Sequence, residues 1–160
     1  MSEVAELLER FRRGGELLAV VTTGAAGAEL DFTPGADKWS VRQIVCHLAD
    51  SELVGGDRFR RTIAEDNPTL IGYDEKAWAK NLDYHRRRFS QAVESFRRMR
   101  TENYELLKEL QDEAWQRPAT HNERGPMTLL DLLRIYAHHV ESHCRQIQGV
   151  RQEYKQSKKS

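Results

Sequence analysis

The stretch TLLDLLRIYAHHVESHCRQIQGV, residues 128–150, reads as one helix from end to end. Thr128 followed by Asp131 is a capping arrangement, and an acid in the first turn also suits the positive end of the helix dipole. Leu129, Leu132, Tyr136, His139, His143, Ile147 and Val150 then recur at three- and four-residue spacing. One stripe of the helix is therefore apolar except for two histidines, and such a stripe is stable only when other helices cover it. The pattern predicts a helix to about Gly149.

Three more segments carry the same period. Ser40 with Gln43 forms a second capping box, ahead of Val41, Ile44, Val45, Leu48, Leu53, Phe59 and Ile63. Gly55-Gly56 inside that helix points to close packing or a bend, and Asn67-Pro68 and Gly72 end it. Ser2 to Thr23 repeats Val4, Leu7, Leu8, Phe11, Leu17, Leu18 and Val21, with Gly14-Gly15 as a place for a kink. A third long helix is expected from about Asp83 to Leu110, carrying Phe89, Val93, Phe96, Met99, Leu106, Leu107 and Leu110. Between them lie a Gly- and Ala-rich loop (Gly24–Asp37), a short helical turn with Trp78 (Asp74–Ala79) and a long connection with Trp115 (Gln111–Met127). No segment sustains apolar–polar alternation, so no sheet is expected. The economical fold is all-α, a four-helix bundle over residues 1–150, followed by a polar and disordered tail at 151–160.

The chain has 160 residues, a length that fits one domain with its own core. Lys plus Arg and Asp plus Glu each number 25, so the net charge is zero and the simplest argument for nucleic-acid binding is absent. No run of residues is apolar enough to span a membrane, and the N-terminus lacks the basic start and apolar run of a signal peptide. Cys46 and Cys144 then read as reduced thiols in a cytoplasm.

The chemistry lies in the histidines. His139 and His143 stack one turn apart, and His47 lies on the inward side of its own helix between Ile44 and Ser51. Packed helices sit about 8–10 Å apart, so one metal ion with bonds of about 2.0–2.1 Å can be reached from both. Neutral imidazole suits zinc, nickel, copper or iron, and three ligands leave a position open for water or substrate. Against this stands the bland reading, since pairs of histidines four residues apart also arise by chance. His85 beside Arg86-Arg87-Arg88 reads as solvated, His121 as a loop residue, and His138 points about 100° away from His139. Cys46 and Cys144 read as small core fillers, and the arginine runs as solvated faces balanced by glutamates. Asp50 either orients a ligand or water, or is a solvated carboxylate.

The strings KWSVRQIVCHLADS (38–51) and YAHHVESH (136–143) resemble the helix-two and last-helix signatures of the DinB-like superfamily. Arg58-Phe59-Arg60, Pro68-Thr69, Gly72-Tyr73 and Ala77-Trp78 are similar in particular to its YfiT-type branch of metal-dependent hydrolases. The resemblance covers about Asp37 to Val150. It implies an up-down-down-up bundle, a homodimer, and a divalent metal, zinc or nickel, held by His47, His139 and His143. Relatives include bacillithiol S-transferases and mycothiol-dependent enzymes, so it implies transfer of a small thiol to an electrophilic substrate. The alternatives are hydrolysis by a metal-activated water with Asp50 as base, and a metal-binding protein without turnover. Tyr136, one turn before His139, is placed to donate a hydrogen bond to sulfur or electrophile. Trp78 and Trp115, in irregular segments, are candidate dimer contacts. Branch members carry further histidines near the last pair, where this chain has Ser142 and Gln146. The resemblance brings no DNA-binding motif.

Overall fold

In the computed structural model, which describes residues 1–159, both expected capping boxes form. Ser40 accepts from the Gln43 amide while the Gln43 side chain accepts from the Ser40 amide at 2.9 Å. Thr128 and Asp131 exchange the same pair of bonds. The α-helices are α1 (Glu3–Val21), α2 (Val41–Ala64), the short α3 (Glu75–Asn81), α4 (Phe89–Lys108) and α5 (Leu129–Ser157).

Cross-helix partners give the directions. Glu3 meets Arg134, Arg10 meets Glu141 and the Val21 carbonyl accepts from Arg151, so α1 and α5 run parallel. Arg42 donates to the Arg87 carbonyl just before α4, Glu52 meets Arg100 and Arg60 meets Asn103, so α2 and α4 are parallel as well. His47 opposite His143 and Gly55 opposite Tyr136 make α2 antiparallel to α5. The bundle is thus up-down-down-up, and the consecutive parallel helices α2 and α4 are joined by a long connection that holds α3.

The core falls into two apolar clusters. One gathers Leu18, Ile44, Val45, Phe96, Val140 and Ile147, the other Phe11, Phe59, Leu107, Trp115, Leu132 and Tyr136. Between them in sequence on α2 and α4 lie Glu52, Arg100 and Asn103, which are all buried. Arg100 donates to both oxygens of Glu52, to the Phe11 carbonyl and to the Tyr136 carbonyl, and so ties α4 to the other three long helices. Asn103 completes the set with a 3.0 Å bond to Glu52, and the guanidinium stacks 3.8 Å over the Phe11 ring. Arg86, Arg88, Arg97 and Arg98 are exposed, as expected of the arginine runs, but Arg100, just beyond the second run, has found a full set of buried acceptors.

The glycines are explained by these neighbours. A Cβ on Gly14 would come within 2.6 Å of Arg100, and α1 runs through Gly14-Gly15 without a break. A Cβ on Gly55 would sit 2.5 Å from the Tyr136 ring, and one on Gly56 2.9 Å from Asn103, so the pair in α2 marks close packing as expected.

Four expectations are corrected. A small sheet exists: β1 (Thr69–Leu70) pairs parallel with β2 (Pro118–His121), which pairs antiparallel with β3 (Gly125–Thr128). Strands of two to four residues, two of them holding a proline, are too short for alternation to show. The third helix starts at Phe89 rather than Asp83, because Asp83 is left-handed (φ 50°) and Tyr84–Arg86 form a separate 3-10 turn. The last helix continues to Ser157, so residues 151–157, expected in a disordered tail, are helical. Arg151 anchors that turn by donating to Glu29 and to the Val21 and Thr23 carbonyls. Leu53, assigned to the inner face of α2, is 62% exposed.

Candidate metal centre

His47 comes from α2, His139 and His143 from α5, and the antiparallel pairing of those helices brings all three rings together. The His139 Nε2 lies 3.1 Å from the His47 Nε2 and 3.1 Å from the His143 Nε2. One ligand atom from each of the three lies within 4.8 Å of the other two. Ligand atoms on one ion, at bonds of about 2.0–2.1 Å, are spaced about 2.9 Å at an octahedral angle and about 3.4 Å at a tetrahedral one. Both 3.1 Å contacts of His139 lie between these.

Protons alone cannot satisfy this arrangement. A neutral imidazole Nε2 carries either one proton or one lone pair. The His139 Nε2 can therefore serve only one of its two 3.1 Å contacts. Extra protonation is opposed: burial first, and the neighbouring His143 second, push His47 down to about 3. His139 falls to about 2 for the same reasons. Burial also lowers His143, although its Gln146 bond and the Glu75 charge act the other way. Three neutral imidazoles aimed at one point form a donor set that fits a divalent cation.

Outer contacts fix the rings. The His143 Nδ1 donates to the Gln146 side-chain oxygen at 2.7 Å, which leaves the Nε2 lone pair facing the centre. Gln146, the site of a departure from the branch pattern, is thus the residue that orients His143. The Trp39 ring packs 5.2 Å from the His47 ring, and the His47 Nδ1 has no hydrogen-bond partner. His47 is fully buried, whereas His139 and His143 are half-buried, so the centre is open on their side.

Of the two residues expected to assist, Tyr136 lies beside the triad. Its ring centroid is 6.4 Å from that of His139, and its hydroxyl accepts from Arg58 Nη1 at 3.2 Å. Burial pushes its phenol up to about 12, so the hydroxyl keeps its proton at neutral pH. Asp50 is committed elsewhere. Its oxygens accept from the Tyr84 hydroxyl at 2.6 Å and from Arg87 at 2.8 Å, pinning the 3-10 turn onto α2, and it bonds no histidine.

The remaining histidines stay apart. His85 and His138 are exposed, and His121 is buried in β2, where its Nδ1 accepts from the Glu123 and Arg124 amides and shapes the hairpin turn. Cys46 and Cys144 are buried free thiols, both pushed up to about 11 by burial, as core fillers would be. Trp115 is 2% exposed in its own chain and so is not a dimer contact, while Trp78 stacks 4.4 Å from Tyr73. Sequence reasoning missed Glu75, whose carboxylate lies 3.9 Å from the His47 Nε2. Its helix is too short to show a period, so nothing in the sequence aims it at the triad.

Comparison with known proteins gives a consistent picture. The family model described as "DinB superfamily" matches residues 10–147. A relative from Halalkalibacterium halodurans is 33% identical over 133 residues, covering 82% of this chain and 76% of its own. Another from Oceanobacillus iheyensis is 31% identical over 122 residues, covering 76% of this chain and 70% of its own. Both bear the name "Putative metal-dependent hydrolase". The solved structure of YfiT from Bacillus subtilis, described as "a probable metal-dependent hydrolase with an unusual four-helix bundle topology", superposes with a TM-score of 0.89. That match covers 97% of this chain and 90% of the other at 25% identity.

Proposed function

The chain belongs to the DinB superfamily, and from that premise we propose that it is a metal-dependent enzyme whose cation is held by His47, His139 and His143. The observation that carries the reading is the convergence of three neutral Nε2 atoms whose contacts protons cannot satisfy. A divalent ion there supplies a Lewis acid and lowers the pKa of a coordinated water or thiol. Zinc and nickel are the ions proposed. The protein's own part is to hold the imidazoles neutral by burial, to fix His143 through Gln146, and to present the Tyr136 hydroxyl beside His139.

The leading reaction is transfer of a small thiol to an electrophile. Hydrolysis is the second reading, favoured by the names of the relatives. A homodimer acting in the cytoplasm on small molecules, without nucleic acid or membrane, completes the proposal. No helix among the described residues is long and apolar enough to cross a membrane.

Elemental analysis of the purified protein, with titration of His47→Ala, His139→Ala and His143→Ala, tests the centre. One ion per parent chain and none in the variants is expected, whereas undiminished binding in all three variants would remove it. Loss of chlorodinitrobenzene with and without a small thiol then separates the reactions. Thiol-dependent loss supports transfer, and loss of a hydrolysable ester in plain buffer supports hydrolysis. Turnover indifferent to His143→Ala would exclude both. Sedimentation as a monomer at micromolar concentration would refute the dimer.

A further inference from the structure

We propose that Glu75 is the carboxylate of this metal centre, the group on α3 that offsets the cation's charge and accepts a hydrogen bond from whatever occupies its open side. This inference rests on the metal-centre reading above. Three neutral imidazoles bring no charge, so a divalent ion among them carries its full +2 into a half-buried place. Uncompensated charge there is costly, and a nearby carboxylate is the ordinary remedy.

The geometry singles out one. The Glu75 Oε1 lies 3.9 Å from the His47 Nε2, the same nitrogen that meets His139. With its side chain 52% exposed, it reaches that nitrogen from the solvent side. The other acid near the triad, Asp50, is taken by Tyr84 and Arg87. Among the described residues, no other ion pair or hydrogen bond engages the Glu75 carboxylate, and its side chain is 52% exposed.

The approach is held by the chain. Asp74 caps α3 by accepting from the Lys76 and Ala77 amides, both at 3.1 Å, and this sets the first turn on which Glu75 lies. Behind it, Tyr73 packs on Trp78 across that turn. Glu75 is not among the three ligand groups that share one 4.8 Å neighbourhood. Its reach therefore suits a hydrogen bond to a coordinated water or thiol rather than a fourth direct bond to the ion.

The test uses Co2+ as the probe, with the metal-free full chain, competition against a chromophoric chelator, and the visible d–d spectrum. Glu75→Gln keeps the shape and loses the charge. It is expected to weaken Co2+ binding by about 10-fold or more, the usual cost of losing an outer partner, and to alter the d–d band. Glu65→Gln removes the same charge at the exposed end of α2 and is expected to change neither. Co2+ affinity within twofold of the parent in Glu75→Gln, or equal weakening in Glu65→Gln, would overturn the role of Glu75 while leaving the histidine centre intact. Failure of the parent chain to bind Co2+, or undiminished binding in all three histidine variants, would overturn both.

Discussion

Two buried polar centres lie within the same bundle, and they are built on opposite plans. Around Arg100 every group is matched: one cation, one anion in Glu52, an amide in Asn103 and two carbonyls, all buried. Around His139 nothing balances, because three neutral rings compete for a contact that one proton cannot share. The first centre is complete in the chain as it stands and serves the fold. The second leaves ring nitrogens that the chain itself does not match, and so has room for a group from outside.

The difference can be broken first at the closed centre. Glu52→Ala leaves a buried guanidinium unpaired and is expected to cost about 3–5 kcal/mol in urea unfolding. The pair Glu52→Leu with Arg100→Met is expected to recover much of that, because the centre has no other task. The open centre is expected to respond to ligand instead. A cation at 100 times its Kd should add about 2.7 kcal/mol of stability to the parent chain and nothing to His139→Ala. A gain in His139→Ala, measured by thermal melting, would show that the ion binds elsewhere.

Gly55→Ala is expected to cost about 1–3 kcal/mol, since its methyl would meet the Tyr136 ring. An unchanged melt would mean the helices part easily there. The remaining test is in pH. His47 and His139 take up protons near 6.5 when unfolded but only near 3 and 2 when folded, so the unfolded chain gains protons first. Metal-free protein should therefore be indifferent to these groups above pH 6.5 and lose stability as pH falls below it, by roughly 1 kcal/mol per histidine per unit. Flat stability from pH 7 to 5 would contradict the burial of the two rings.

The long helices and the triad were legible because each announces itself locally, through capping boxes and a three-to-four-residue period. Even the Gly55-Gly56 contact was foreseen in kind. What the sequence hid was mostly nonlocal. Arg100 looks like any surface arginine until Glu52, 48 positions away, is known to face it. Glu75 reaches the triad only because α3 lies against α2, and β1 finds β2 across some fifty residues of helix and turn. Asp50 stands three residues after His47, but helical spacing could not reveal that Tyr84 and Arg87 would claim it.

The parallel pairing of α1 with α5 has a consequence for how the chain must assemble. Glu3 and Arg134, and Arg10 and Glu141, are partners 131 positions apart. Contacts of such sequence separation form late and slow folding, because the closure of a long loop precedes any reward. During synthesis, α1 must wait beside α2 and α4 with a face uncovered until the last helix emerges. His47 must wait as well, for partners 92 and 96 positions on. The histidine triad and the final seam of the bundle are thus completed by the same docking event, so the three rings meet only in a chain that has already finished folding.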